Sequence, residues 1–150
     1  MRSRSTSQVR FPMSIIQQRT AILSEAEMWL DIYFSGRVPQ FTPPLNPKGS
    51  EFRHAVREIL LQIPYGQTMT YGKISHIIAE KNGLSGMSSQ AVGGAVGHNE
   101  VSIIIPCHRA VGTNGSLTSY VGGIERKIKL LEIEHADMSK LYIPKKGTAL

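Results

Sequence analysis

Apolar residues recur at helical spacing in five stretches of this chain, and the gaps between them fall at proline, glycine or small polar residues. Ser24 with Glu27 three residues on reads as a capping box, opening a helix through Met28, Leu30, Ile32 and Phe34 that Gly36 closes. Ser50 caps a second helix with Phe52, Val56, Ile59, Leu60 and Ile63 on one face, stopped by Pro64 and Gly66. Thr70 caps a third, carrying Ile74, Ile77 and Ile78 and ending near Asn82 and Gly83. A short fourth helix starts at about Ser88 and holds Ala91, Val92, Gly93, Gly94, Ala95 and Val96. The last helix presents Ile124, Ile128 and Leu131. Between the fourth and last helices, the β-branched run Val101, Ile103, Ile104 and Ile105 predicts a buried strand or extended segment that Pro106 ends. Asn114–Gly115 is a turn signal, and Gly122–Gly123 marks a second flexible point.

The punctuation sets the organisation. Residues 1–19, rich in Ser, Arg and Gln, read as a loosely ordered arm or strand remnant, and Pro39, Pro43, Pro44 and Pro47 make residues 37–49 a linker. With 150 residues, the chain has room for one ordinary core and a small appended lobe. The expected fold class is α+β: a short, rudimentary N-terminal lobe with its linker over residues 1–47, then a mainly helical domain over 48–135. A basic tail, expected to be partly disordered, covers 136–150. The third and fourth helices suggest a helix-turn-helix, although their 82–87 connection exceeds the usual three or four residues. Gly93 and Gly94 would each weaken an isolated helix by up to about 1 kcal/mol, so their small size needs a packing or docking reason.

Charge and cysteine count narrow the chemistry. A formal charge of +6 suits a polyanionic partner, but it is spread along the chain and marks no basic stripe. One cysteine excludes an internal disulfide, and the first twenty residues lack the apolar core of a signal peptide, which predicts a cytoplasmic location. No apolar run reaches the roughly 20 residues that span a bilayer. The five scattered histidines and single thiol predict no metal site.

Cys107 follows Pro106 and precedes His108. At an ordinary pKa only about 3% of a cysteine is thiolate at pH 7, so a nucleophilic role requires activation. Adjacency alone does not bring His108 onto the sulfur, since neighbours along extended chain point apart; a bridging water or bent turn would. Glu134 is a candidate to fix the histidine tautomer. By themselves these residues more often mean inert packing than catalysis.

The longer strings change that reading. Ile105-Pro106-Cys107-His108-Arg109, Asn114-Gly115-Ser116-Leu117, Tyr120-Val121-Gly122-Gly123 and residues 127–134 closely resemble the active-site region of the O6-alkylguanine-DNA alkyltransferases. The likeness extends through residues 64–72 and 91–99, covering roughly 48–135, and more loosely to residues 33–36. The resemblance implies a winged-helix-like helix-turn-helix beside a Pro-Cys-His-Arg segment. It also implies direct, stoichiometric transfer of an alkyl group from guanine O6 in double-stranded DNA to Cys107, after nucleotide flipping, by a monomer without a cofactor. Under it, His108 activates Cys107 through a water, Glu134 orients His108, and Asn99 braces the turn against the active-site segment. Tyr71 helps rotate the nucleotide and contacts the base. Tyr120, Val121 and Gly122 border the guanine pocket, and Ala110 offers its carbonyl to the guanine amino group. Gln90, Ala91, Gly94 and Ala95 lie on the helix that enters the minor groove, while Arg109 is structural.

Two departures accompany the likeness. The N-terminal part is short and lacks recognisable sheet strands, and Gln90 stands where the family usually places an arginine that fills the opened helix stack. One alternative is an alkyltransferase-like lesion binder that reacts with nothing, but such proteins replace the cysteine that is present here. Another is a cysteine hydrolase, supported by the Cys107–His108 pair alone.

Overall fold

The computed structural model describes residues 13–118 and 120–145, with side chains from residue 20 onward. The chain divides into two compact units, Met1–Leu45 and Asn46–Leu150.

In the first unit the helix is longer than the capping box predicts. α1 spans Met13–Phe34, so residues 13–19 of the expected arm are helical, while residues 1–12 lie outside the described residues. Ser24 does not cap it. Its hydroxyl bonds back to the Thr20 carbonyl at 2.8 Å, the i−4 alternative open to a serine inside a helix. Trp29 stacks on Tyr33 with ring centroids 5.3 Å apart, and Gly36 at φ +79° closes the helix as expected.

The second unit is mainly helical with a small parallel sheet. α2 (Glu51–Gln62) starts at Ser50, whose side chain accepts from the Arg53 N–H, and it buries Val56, Ile59 and Leu60. α3 (Tyr71–Lys81) starts at Thr70, which accepts from the Lys73 N–H, and buries Ile74 and Ile78. α4 (Ser89–Gly97) starts at Ser88, which accepts from the Ala91 N–H, and buries Val92, Ala95 and Val96. These three helices pack on one another through those faces. Each starts on a hydroxyl that satisfies one of its orphan N–H groups, which is why the starts were legible.

The sheet was not legible. β1 (Met69–Thr70) pairs in parallel with β2 (Ala110–Val111), Met69 opposite Ala110 and Thr70 opposite Val111. Two residues per strand leave no alternation to detect. The β-branched run at 101–105 is a tight turn instead of a strand: the Ile105 N–H reaches the Val101 carbonyl at 3.1 Å, and Ile103 sits at φ +75°. A branched side chain in that left-handed region is strained by roughly 1–3 kcal/mol and persists only where its surroundings fix it.

α5 (Ile124–Ile133) packs Leu131 with Val111 and Leu117 into a cluster that Ile128, Ala136, Met138 and Leu141 cover. The C-terminal segment is described only as far as residue 145. A 3-10 turn at Met138–Lys140 returns the chain so that the Leu117 N–H donates to the Tyr142 carbonyl at 2.8 Å, and the Tyr142 N–H to the Gly115 carbonyl at 3.1 Å. Among the described residues no helix is long and apolar enough to cross a membrane.

Gly115 makes this return sensitive to a single methyl group. It holds φ +86°, and an added Cβ would lie 2.0 Å from the Lys140 carbonyl oxygen. Gly115→Ala is therefore expected to cost at least about 2 kcal/mol and lower the Tm by roughly 5–10 °C. Calorimetry showing an unchanged Tm would mean that the 138–142 return contributes nothing to stability.

Candidate active site

Asn99, just beyond α4, holds the strained turn from inside. Its Nδ2 donates to the Ile105 carbonyl at 2.9 Å, and its Oδ1 accepts from the Val101 N–H at 3.2 Å. Both ends of the turn are thus tied to one buried amide, and the chain leaves it at Pro106 into a 3-10 turn, Cys107–Arg109. That turn, with Cys107, His108 and Arg109 all buried, replaces the extended geometry in which adjacent side chains diverge.

Glu134, the C-cap of α5, gathers the groups around it. One carboxylate oxygen accepts from His108 Nε2 at 2.5 Å and from Arg109 Nη2 at 3.0 Å. The other accepts from Arg109 Nε at 2.8 Å and from the Gly66 N–H at 3.0 Å. Burial alone would raise the Glu134 pKa, but the hydrogen bonds from His108 and Arg109 hold it down at about 2. An ionised carboxylate only accepts, so it fixes the proton of neutral His108 on Nε2 and leaves Nδ1 as the basic nitrogen. Burial lowers the His108 pKa against the opposing pull of Glu134, so the ring is neutral at pH 7 and able to take a proton. Arg109 also donates to the Ile63 carbonyl at 2.7 Å and lies over the Tyr65 ring, 5.7 Å from its centroid. It thereby ties the active-site turn to the end of α2.

Burial pushes the Cys107 thiol up, while hydrogen bonding from Asn99, the charge of Lys127 and hydrogen bonding from Tyr120 pull it down. Its resting form is the protonated thiol. Lys127 was missed in the sequence, although a lysine between Ile124 and Leu131 on a helix face headed for the core is the signal that marks it. Lys127 is fully buried and donates to the Ala110 carbonyl at 2.7 Å; burial drives its pKa down to about 8.

Cys107 opens on a cavity of about 40 Å³ shared with Tyr71, Gly93, Val96, Gly97, Tyr120 and Val121. The structure therefore brings Tyr71, Tyr120 and Val121 to the sulfur. Gly122 acts one step removed: a Cβ there would meet the Tyr120 ring at 2.9 Å, so its missing side chain is what lets that ring lie where it does. Ala110 is not among the cavity residues. It is fully buried, and its carbonyl is engaged by Lys127. On α4, Gln90, Ala91 and Gly94 are exposed, whereas Ala95 turns inward with Val92 and Val96 at 8% exposure. Grouping Ala95 with the outer face was an error of helical phase: residues 92, 95 and 96 share the core stripe.

Residues 51–136 match the family described as "6-O-methylguanine DNA methyltransferase, DNA binding domain". A methylated-DNA--protein-cysteine methyltransferase of Mycobacterium bovis is 47% identical over 105 residues, 70% of this chain and 61% of that protein. The inducible one of Bacillus subtilis is 38% identical over 135 residues, 90% of this chain and 73% of its own length. The crystal structure of Mycobacterium tuberculosis OGT in complex with DNA superposes with a TM-score of 0.66 at 43% identity, over 79% of this chain and 68% of that one. The chain thus spans about 61% of the length of its mycobacterial relatives.

The Glu134 cluster carries a pH dependence whose sign is fixed. The folded pKa lies below the ordinary value, so the stabilisation is fully present above about pH 5 and is lost as pH falls toward 2. Glu134→Gln should destabilise the protein by about 3–5 kcal/mol at pH 7, because Arg109 is left buried without its counter-charge. Denaturant titrations of both proteins should show that gap narrowing between pH 5 and pH 2. A gap independent of pH would place the stabilisation elsewhere.

Proposed function

Because the chain belongs to the 6-O-methylguanine DNA methyltransferase family, we propose that it repairs O6-alkylguanine in double-stranded DNA by moving the alkyl group onto Cys107. The observation that carries this reading is a thiol at the wall of a small cavity, followed by a neutral histidine locked by an ionised, buried carboxylate.

His108, through its basic Nδ1 and a bridging water, takes the thiol proton. The sulfur attacks the alkyl carbon, the S–C bond forms as the C–O6 bond breaks, and the electron pair of that bond stays on guanine. The proton removed from sulfur ends on the base, so thiol and alkylated guanine become thioether and guanine. Lys127, near enough to pull the thiol pKa down, offsets the charge developing on sulfur. A thioether is a poor leaving group, and Cys107 is the only cysteine, so each molecule acts once and without a cofactor.

Cys107 lies buried at the wall of its cavity, out of reach of a base stacked inside duplex DNA, so the nucleotide must leave the helix at a cost of a few kcal/mol. α3 and α4 serve as a helix-turn-helix, with the small exposed face of Ala91 and Gly94 entering the minor groove and Gln90 filling part of the vacated stack. Tyr71 and Tyr120 receive the base, with Val121, 73% exposed, at the rim. A lesion binder without chemistry would have no use for the Cys107–His108–Glu134 arrangement.

Intact-protein mass after incubation with a duplex containing one O6-methylguanine tests the reading: one added methyl on Cys107, and none in Cys107→Ser, which should still bind the duplex. Tight binding with unchanged mass would establish the lesion binder instead, and repeated turnover a hydrolase.

His108→Ala removes the base from a thiol whose pKa already stands above the ordinary range. Its transfer rate at pH 7 should fall by roughly 10²-fold or more and recover in part as pH rises and the thiol ionises unaided. A pH–rate profile superimposable on that of the parent would remove His108 from the reaction.

A further inference from the structure

Thr118 figures in none of the roles above, yet its hydroxyl donates to the Tyr71 hydroxyl oxygen at 3.2 Å, joining two segments 47 residues apart in sequence. Both partners are buried, at 2% and 3% exposure. Thr118 is also firmly placed: its own N–H donates to the Ser116 carbonyl, and the neighbouring Leu117 N–H to the Tyr142 carbonyl. Tyr71 starts α3 and lines the cavity with Cys107. A phenol oxygen that accepts one hydrogen bond keeps its own proton for another, and polarisation along such a chain strengthens the outgoing bond. With Thr118 on the lone-pair side, the Tyr71 proton is left for the cavity.

We propose that Thr118 is a positioning residue for the transfer: by donating to Tyr71 it fixes that phenol as a hydrogen-bond donor to the extruded guanine. The donor matters most as the C–O6 bond breaks, because negative charge then accumulates on the base. No proton passes through Tyr71; the thiol proton alone neutralises the leaving guanine. Burial raises the Tyr71 pKa and the Thr118 bond only partly opposes it, so the phenol keeps its proton at neutral pH. The inference rests on the alkyl-transfer reading and adds to it a residue that acts only through Tyr71.

Single-turnover transfer from the O6-methylguanine duplex tests it, using the parent, Thr118→Val, Thr118→Ser, Tyr71→Phe and the Thr118→Val/Tyr71→Phe double variant. Valine keeps the shape and loses the donor, so transfer should slow by about five- to tenfold. Serine should restore the parental rate, and the double variant should be no slower than Tyr71→Phe alone. If Thr118→Val does not fold, Thr118→Ala takes its place in the same cycle. A parental rate in the donorless variant, failure of serine to rescue, or multiplying effects in the double variant would each overturn the proposal. Failure of the parent to gain a methyl would instead sink the alkyl-transfer reading. The Thr118–Tyr71 bond would then be judged from the Tyr71 Cζ resonance in carbon-13 tyrosine-labelled protein, assigned by its loss in Tyr71→Phe. The bond predicts a shift in Thr118→Val that serine reverses; an unmoved resonance refutes it.

Discussion

One carboxylate holds the second unit's functional half together. Glu134 accepts from His108, twice from Arg109 and from the Gly66 backbone, so the Cys107–Arg109 turn and the loop leading to β1 converge on two oxygen atoms, and Arg109 carries the link on to the Ile63 carbonyl at the end of α2. A buried charge is tolerable only when it is fully compensated, and this one is compensated by a bidentate guanidinium. The interaction that stabilises the fold and the one that sets the histidine tautomer are therefore the same. Any change that loosens one loosens the other.

Around that anchor the site sets opposing effects against each other. Burial keeps the thiol protonated and the histidine neutral, the two starting forms that the proposed proton transfer from sulfur to imidazole requires. Lys127 and Tyr120 pull the thiol pKa the other way. Tyr120 has its own pKa pushed up to about 12, first by burial and then by the nearby negative charge of the thiolate, so it remains a donor throughout the physiological range. The sulfur is thus kept as a thiol at neutral pH.

How much of this could be read from the sequence depends on range. Helix starts at Ser50, Thr70 and Ser88 were legible because capping is a contact across three residues. Ser24 shows the limit of that rule: the same residue type bonds backward to Thr20 once the preceding residues are helical. The two-residue strands, the Tyr142 return and the Arg109–Glu134 pair depend on partners tens of residues away, which no local pattern encodes. Family likeness pointed to Cys107, His108 and Glu134 together, and the structure does join His108 to Glu134 beside Cys107. The phase of α4, which turns Ala95 inward, was readable from periodicity alone and was overlooked.

The turn upstream of Cys107 has a consequence for how the molecule could change. Ile103, a branched residue held at φ +75°, is among the few positions where a glycine should improve stability by releasing strain instead of adding freedom. Directed evolution for heat tolerance would therefore be drawn to codon 103. The same relaxation would slacken the bracket that Asn99 draws tight before Pro106 and let the sulfur wander. Thermal robustness and the aim of the thiol pull against each other at a residue that is not among those lining the Cys107 cavity.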